Sequence, residues 1–467
     1  MSEEKKVSRR SWVKYAGAGV VVVAAAAGAG YYATQPKPTP TPTPTTPTPT
    51  PTPTPKPTAP SELKIGTVFP MTGAMALLGL EQYRGTELAC DLVNERGGIP
   101  GVGTKIKLVV GDAKSEASVA ATEAERLITL EKVDILIGTY SSGLAYTASE
   151  VAEKYKKIYW EVGATADSIV ERGYKYIFRP QVIASANQGA LPPRFTEEVI
   201  CPKMGKKPGE VNYAICTENT LWGRTVMAWG SKEAIARGFN LVATETYSYK
   251  ATDLSAVITK LKAAAPDILH VAQYISDGIL FWRQAKELDF NVKMMIGTGA
   301  AHGLPDFYEA LGKDADYIMN FDPAPPGFFN PAGLTPEARE LLDVYLKRWQ
   351  AKYGRLPLTH SNMGFMHTWW LLTDVLPRCW KKYGSFDPDS IRLAALETDI
   401  PDGASTIIYG CKFAPPEHPW AGQNLRAHMV GMQWKDGKLN VVWPQKYAIV
   451  DFVFPLPTWK ERKQKAS

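Results

Sequence analysis

The sequence lacks the short motifs by which common hydrolases, metalloproteases and nucleotide-binding enzymes are recognised. It contains no His-Glu-x-x-His, no Gly-x-Ser-x-Gly and no Gly-x-x-x-x-Gly-Lys-Ser/Thr, although each of these motifs carries a specific catalytic or phosphate-binding geometry. Its six histidines lack the spacing that would place metal ligands on one helix face, and no two cysteines form a Cys-x-x-Cys pair. We therefore expect no catalysis, no metal and no cofactor.

The chain also lacks the excess of positive charge that binding to nucleic acid requires. Its formal net charge is +6, but seven of its 53 basic residues and only two of its 47 acidic residues lie within the first 60 positions. The remainder holds 46 basic and 45 acidic residues, a net charge of +1. A nearly neutral body gives no electrostatic reason to expect nucleic acid as a partner.

Cysteine is scarce, with five residues in a chain of 467. Because Cys90 is the first of them, no cysteine follows the apolar N-terminal run, and a bacterial-type lipid anchor is excluded. An exported compartment would allow disulfides, for which Cys201 with Cys216 and Cys379 with Cys411 are the candidate pairs. Cys90 lies in an amphipathic stretch, which predicts a buried and inert thiol.

The first 35 residues combine a basic start with an uncharged apolar run. The run from Tyr15 to Ala33 would form a helix of about 28 Å, close to the hydrocarbon thickness of a bilayer. Arg9 and Arg10, with a hydrophobic residue and a lysine soon after them, resemble a twin-arginine export signal. An ordinary basic flank is the alternative. We interpret residues 1–35 as a twin-arginine-like signal or membrane anchor, which predicts a membrane-tethered protein at the cell surface or in the periplasm.

From position 36 to position 60 nearly every second residue is proline, and most of the others are threonine. Proline fixes φ and removes a backbone donor, so this segment cannot build a helix or a sheet. In polyproline II geometry, at about 3.1 Å per residue, it would span on the order of 75 Å. We interpret residues 36–60 as an extended Thr-Pro-rich stalk, with a plain linker as the alternative.

Beyond residue 60, short apolar strands alternate with helical periodicity. The predicted strands are Leu63–Phe69, Ile106–Val110, Val133–Ile137, Val211–Cys216, Leu241–Tyr247, Ile268–Val271 and Lys293–Ile296. The predicted helices are Gln82–Glu95, Ser115–Leu130, Trp222–Arg237, Leu254–Ala264, Gly278–Leu288 and Pro336–Tyr353. This alternation predicts an α/β fold with two doubly wound units, in which ligands bind at the carboxyl ends of the strands.

Several motifs occur in the order typical of one protein family. They are Leu63-Lys64-Ile65-Gly66, Met71-Thr72-Gly73, Asn94-Glu95-Arg96-Gly97-Gly98-Ile99, Asp134-Ile135-Leu136-Ile137-Gly138, Ser141-Ser142, Gly163-Ala164-Thr165 and Thr252-Asp253-Leu254-Ser255. Together they resemble the branched-chain amino-acid type of ABC-transporter substrate-binding proteins, which includes the leucine/isoleucine/valine-binding proteins. The resemblance extends over residues 62–444.

The resemblance implies a type I periplasmic-binding fold, with two Rossmann-like lobes that are joined by three crossovers and close around a ligand by hinge motion. We assign residues 61–182 and 305–428 to the first lobe and residues 183–304 and 429–457 to the second. The implied partners are a small-molecule ligand and the permease subunits of an ABC transporter.

Four residues match the positions at which the first lobe in this family holds the carboxylate of the ligand with backbone amides and hydroxyls. They are Ser142, Gly163, Ala164 and Thr165. Ser142 follows a predicted strand and opens a predicted helix, where free N–H groups and the helix dipole favour an anion. Capping of a helix is the alternative role for Ser142 and for Thr165.

Three further residues match positions that contact the rest of the ligand in this family. Tyr274 matches a tyrosine of the second lobe that closes over the bound amino acid, and Trp222 matches another aromatic residue of that lobe. Leu78 matches a position in the first loop that contacts the ligand side chain. Packing in the core is the alternative role for all three.

Gly299 is a departure from the family pattern. Amino-acid binders of this family carry an acidic residue near this place, which pairs with the ammonium group of the ligand. A buried ammonium without a partner is costly, so either another carboxylate replaces the missing one or the ligand has no ammonium. Glu161 and Asp277 are the nearest candidates by position, although Asp277 has the alternative role of a helix cap.

Together these features predict an extracytoplasmic solute-binding protein that captures a small polar ligand and delivers it to an ABC permease. The ligand classes that stay open are amino acids, amides, urea-like solutes and carboxylates. The alternative is a ligand-sensing or scaffold surface protein of the same fold without a role in transport. Neither interpretation involves an enzymatic reaction.

Overall fold

The computed structural model describes residues 58–299 and 301–466. The predicted signal or anchor at residues 1–35 and residues 36–57 of the predicted stalk lie outside this range, so both stay predictions. Within the described ranges, no helix has both the length and the apolar character that are needed to cross a membrane.

Five parallel strands form the first sheet, in the order β2-β1-β3-β4-β5. They are β1 (Glu62–Phe69), β2 (Lys105–Asp112), β3 (Ile135–Gly138), β4 (Ile158–Glu161) and β5 (Ile177–Phe178). Their connections contain the helices α1 (Ala76–Glu95), α2 (Ala117–Thr129) and α3 (Ser142–Lys154). Strands β3 and β4 are buried along their whole length, as expected for a parallel sheet that is covered on both faces.

A mostly helical segment leads from the first sheet to the second. It contains a π-helical turn (Ala184–Gly189), α4 (Leu191–Phe195), a second π-helical turn (Thr196–Ile200) and α5 (Cys201–Met204). The first π-helical turn packs closely against the helix Leu221–Ala236 of the second sheet. A Cβ added at Gly189 would lie only 2.7 Å from the Cβ of Trp229. This packing brings the turn to the space between the sheets.

Seven strands form the second sheet, in the order β14-β13-β10-β9-β8-β6-β7. They are β6 (Asn212–Glu218), β7 (Asn240–Tyr247), β8 (Ile268–Ala272), β9 (Met294–Thr298), β10 (Met319–Asp322), β13 (Val430–Lys435) and β14 (Lys438–Trp443), while β11 (Asp399–Ile400) and β12 (Cys411–Lys412) form a separate pair. Its helices are α6 (Leu221–Ala236), α7 (Ser255–Ala264), α8 (Ile275–Glu287) and α9 (Pro305–Leu311). Strands β6 to β10 are parallel, whereas β13 runs antiparallel to β10.

The chain passes between the two sheets three times, after β5, after β10 and before β13. Strand β10 pairs with β9 in the second sheet, with Met319 beside Ile296. The prediction that residues 305–428 belong wholly to the first lobe is therefore wrong for residues 305–322. A four-residue strand offers too little periodicity to be recognised, so the predicted boundary lies too early in the chain.

Four helices after β10 return to the first sheet, and a last helix ends the chain. They are α10 (Pro336–Tyr353), α11 (Thr359–Trp370), α12 (Leu376–Tyr383), α13 (Pro388–Leu396) and α14 (Trp459–Ala466). Helix α11 packs closely against α1. A Cβ added at Gly364 would stand only 2.0 Å from the carbonyl oxygen of Gln82, so only glycine fits at this contact. The packing of the two helices places the beginning of α11 beside the carboxyl ends of the strands.

All five cysteines are free thiols and all are buried. The candidate disulfides between Cys201 and Cys216 and between Cys379 and Cys411 are therefore absent. Cys90 is a buried thiol in α1, as predicted. Burial raises its pKa, and a protonated thiol is a poor nucleophile.

We expect none of the five thiols to react with an aromatic disulfide reagent while the chain is folded, because burial blocks access and disfavours the thiolate. In denaturant, without any reductant, all five should react. A titration of free thiols under both conditions measures this. A count below five in denaturant would contradict the structure, since it would reveal a disulfide.

Candidate functional site

A small cavity lies where the carboxyl ends of the strands of both sheets face each other. The first sheet contributes Tyr140, Ser141, Ser142, Gly163 and Thr165, and the second contributes Trp222, Tyr274, Gly299 and Asp322. Segments between the sheets add Gln181, Gln188, His360 and Met363. The volume open to the centres of water molecules is about 30 Å³. A single water needs roughly 10–15 Å³ of such volume. The space therefore suits a small molecule.

The ten predicted site residues divide into two groups. Six of them line the cavity, namely Ser142, Gly163, Thr165, Trp222, Tyr274 and Gly299. The other four are buried but do not line it, namely Leu78, Glu161, Ala164 and Asp277. The contacts of each group decide what the cavity can hold.

Ser142 connects the two loops of the first sheet that reach the cavity. It is the first residue of α3, and its Oγ accepts hydrogen bonds from the backbone N–H groups of Thr165 at 3.3 Å and Ala166 at 3.1 Å. The side chain thus caps the next loop and not its own helix. Because the first N–H groups of a helix have no intrahelical acceptor and the helix dipole is positive there, this end of the cavity favours an anion or another acceptor.

Glu161 organises the loop after β4 and does not face the cavity. Its Oε1 accepts hydrogen bonds from the N–H groups of Gly163 and Ala164, both at 2.7 Å, and its Oε2 accepts from the N–H of Thr139 at 2.6 Å and from the hydroxyl of Tyr159 at 2.7 Å. The two amides that were predicted to hold a ligand carboxylate are therefore already bound. Burial raises the pKa of Glu161 to about 8, against the lowering effect of these donors.

Gln188, in the first π-helical turn, joins the anion-favouring end to an aromatic wall. Its Oε1 accepts hydrogen bonds from Thr165 Oγ1 at 2.8 Å and from the indole N–H of Trp222 at 2.7 Å. The Thr165 hydroxyl thus has a polar partner inside the cavity wall. The same glutamine fixes the orientation of the indole ring that covers the other side.

Tyr140, Trp222 and Tyr274 form an aromatic wall of the cavity, and Tyr249 packs on Tyr274 without lining the cavity. The ring centroid of Tyr274 lies 5.3 Å from that of Trp222, 5.5 Å from that of Tyr249 and 6.1 Å from that of Tyr140. Tyr140 follows β3 of the first sheet and Tyr274 precedes α8 of the second, so this contact spans the cleft. The wall gives an apolar surface with hydroxyl groups at its edges, which suits the carbon skeleton of a small polar ligand.

Leu78 and Asp277 lie behind the cavity. Leu78 is buried in the core that covers one face of the first sheet. The Oδ2 of Asp277 accepts a hydrogen bond from the Tyr247 hydroxyl at 2.7 Å. Burial raises the pKa of Asp277 to about 7. Neither side chain is placed to contact a ligand directly in this structure.

Gly299 follows β9 at the rim of the cavity with φ +72, a value that favours glycine. A Cβ at this position would stand 2.8 Å from Cζ2 of Trp222. The indole ring thus occupies the space that an acidic side chain would need.

Asp322 is a carboxylate of the cavity wall that the sequence analysis missed. It ends β10, is 4% exposed and lines the cavity, and its carboxyl oxygens have no hydrogen-bond partner among residues 58–299 and 301–466. Burial raises its pKa well above the usual range. Nearby His360 also lines the cavity, and burial lowers its pKa to about 3, so this ring is neutral at physiological pH.

Six further residues of the wall were missed, namely Tyr140, Ser141, Gln181, Gln188, His360 and Met363. Most come from turns and from the start of α11, where no periodic pattern marks a ligand-facing position. The sequence around Asp322 does contain a recognisable pattern. Asp322 is an acidic residue at the end of the buried run Met319–Phe321, and a charged residue at the carboxyl end of a parallel strand is a candidate site residue.

Comparisons with known proteins agree with this geometry. The family described as periplasmic binding protein matches residues 62–436. A relative named Leu/Ile/Val-binding protein homolog 7, from Brucella suis biovar 1 (strain 1330), is 33% identical over 400 residues, which cover 85% of this chain and 95% of the relative. The chain therefore belongs to the periplasmic binding protein family, in its branched-chain amino-acid ABC-transporter type, as the resemblance predicted.

Solved structures show the same fold. The branched-chain amino acid transporter substrate binding protein LivJ from Streptococcus pneumoniae, in complex with isoleucine, matches with a TM-score of 0.66 and 22% identity over 82% of this chain and 100% of that one. A solute binding protein from Rhodopseudomonas palustris, in complex with benzoate, matches with a TM-score of 0.64 and 20% identity over 84% and 98%. The type I periplasmic-binding fold is confirmed.

We expect Glu161→Gln to lower the free energy of unfolding by about 1–3 kcal/mol at about pH 6, because the amide would leave the Thr139 N–H without an acceptor. The folded-state pKa of Glu161 is raised to about 8, so the wild type loses stability as the pH rises through that value, whereas the variant has no such titration. The difference in unfolding free energy between the wild type and the variant should therefore narrow towards about pH 9.

Denaturant unfolding at both pH values measures this difference. Tyr159→Phe is the matched control, because it removes one donor to the same carboxyl group and keeps the titration. An equal or larger difference in unfolding free energy at the higher pH would show that burial does not disfavour the charged form of the Glu161 carboxyl group.

Proposed function

We propose that this chain is the extracytoplasmic solute-binding component of an ABC importer, which captures a small polar ligand between two lobes by hinge closure. The observation that carries the proposal is the cavity itself, since both sheets supply polar and aromatic residues to one small space. Family membership supports the role in transport and a location outside the cytoplasm. A permease is the expected partner, and the N-terminal segment is proposed to tether the chain to the membrane.

The lining residues indicate how such a ligand would be oriented. The start of α3, with the hydroxyl of Ser142, offers donors to a carboxylate or a carbonyl oxygen. Trp222 and Tyr274 would cover the carbon skeleton from the second lobe. Among the described residues that line the cavity none is lysine or arginine, so the acceptor group of the ligand would be held by dipoles and hydroxyls alone.

The ligand classes that fit are amino acids, amides, urea-like solutes and carboxylates. The small volume favours molecules with few heavy atoms, unless the lobes open further. Structural neighbours are described with isoleucine in one case and with benzoate in another, so the fold itself accepts ligands with and without an ammonium group. Binding without chemical conversion is part of the proposal.

A thermal-shift experiment on the purified full-length chain tests this function. The probes are L-valine, L-alanine, propanamide, urea, propanoate and 3-methylbutanoate. A ligand that binds only the native state adds about 2.7 kcal/mol of stability at a hundredfold excess over its Kd, so at least one probe should raise the melting temperature and be recovered unchanged. The absence of a shift with all probes would contradict the proposal and favour a scaffold.

We expect Ser142→Ala to weaken binding of the best probe about 10- to 100-fold, because hydrogen bonds to charged groups contribute roughly 1.5–3 kcal/mol. Isothermal titration calorimetry measures the change. Ser149→Ala is the matched control, since Ser149 is a buried serine of the same helix that bonds Ala145 O and does not line the cavity. Equal weakening in both variants would show that the effect is only structural.

A further inference from the structure

Asp322 is the one acidic side chain among the described residues that line the cavity. It is almost fully buried, and its carboxyl oxygens have no hydrogen-bond partner in the described part of the chain. A buried carboxyl group without a partner costs several kcal/mol when it is charged. Such a group at the wall of a binding cavity indicates that its partner arrives with the ligand.

The position of Asp322 follows from the sheet. Strands β9 and β10 are parallel neighbours, with Phe321 beside Thr298, and the N–H of Gly299 donates to the carbonyl oxygen of Phe321 at 2.9 Å. Asp322 and Gly299 therefore leave adjacent strands at the same edge. Because Trp222 fills the space beside Gly299, an acidic group can reach the cavity from the neighbouring strand and not from position 299.

The two carboxylates that the sequence suggested, Glu161 and Asp277, do not line the cavity. Glu161 accepts four hydrogen bonds from its own loop and strand, and Asp277 accepts one from Tyr247 outside the cavity lining. The replacement for the missing acidic residue is therefore neither of the two candidates that the sequence suggested.

We propose that Asp322 is the specificity-determining residue that binds a cationic nitrogen of the ligand. The inference rests on the proposed function, since it assigns a ligand class to the same cavity. The ligand then carries an acceptor group at the Ser142 end and an ammonium or similar cation at Asp322. Analogues that lack the cationic nitrogen leave the carboxyl group unpaired and bind more weakly.

Binding should also affect the pKa of Asp322. Burial raises this pKa, the charge of Asp322 interacts with Tyr140 and Tyr409, and His360, which lines the same cavity, is neutral at neutral pH. A cation beside the carboxyl group favours its ionised form. Binding of a cation should therefore lower the pKa of Asp322.

Calorimetry with matched ligand pairs tests the proposal on the wild-type chain. The pairs are L-alanine with propanoate and L-valine with 3-methylbutanoate, which share a carbon skeleton and differ in the ammonium group. The ammonium-bearing member of a pair should bind about 10- to 100-fold more tightly.

The variant Asp322→Asn should reduce this preference for the ammonium-bearing ligand to within about threefold. Asp316→Asn is the matched control, because Asp316 is a buried aspartate ahead of the same strand with a raised pKa, yet it does not line the cavity. Circular dichroism checks that both variants are folded. The ligand pairs keep the test valid on the wild type if Asp322→Asn does not fold.

The outcomes separate this inference from the proposed function. Equal or tighter binding of propanoate, 3-methylbutanoate, propanamide or urea by the wild type would overturn the role of Asp322 and leave the function as a binding protein intact. An ammonium preference that persists in Asp322→Asn would overturn it as well. Failure of every probe would overturn the proposed function.

Discussion

Parallel strands direct their carboxyl ends to one edge of a sheet, and this chain places two such edges face to face. The loops after β3, β4, β9 and β10 consequently meet in one small space, together with the start of α11. The close approach of α1 and α11 at Gly364 supports that arrangement from the outside. This geometric constraint positions the residues that the two sheets contribute to the proposed site, and segments between the sheets add the others.

Three buried carboxyl groups near the cleft differ in their partners, and these differences decide their roles. Glu161 accepts four hydrogen bonds and stabilises a loop, whereas Asp277 bonds one tyrosine behind the wall. Asp322 has no partner among the described residues and lines the cavity. Burial raises the pKa of all three, so the shift alone does not identify the ligand-facing group. The contacts do.

The sequence predicted strands β1–β3 and β6–β9, several of the longer helices and the family, because long periodic segments and ordered motifs reflect local structure. It also placed Ser142, Trp222 and Tyr274 at the cavity, since each stands at the boundary of a strand or helix. Glu161 was wrong as a ligand-facing residue, because hydrogen bonds within a loop leave no pattern in the sequence. Asp322 was missed because a four-residue strand provides no clear periodicity, and its pairing with β9 is a long-range contact.

A crystal structure of the full-length chain with the best-binding probe tests the central claim most directly. We predict that the acceptor group of the ligand contacts Ser142 and the start of α3, while its cationic nitrogen lies within about 2.7–3.2 Å of an Asp322 oxygen. A ligand whose nitrogen points away from Asp322, or one bound outside this cavity, would contradict the account.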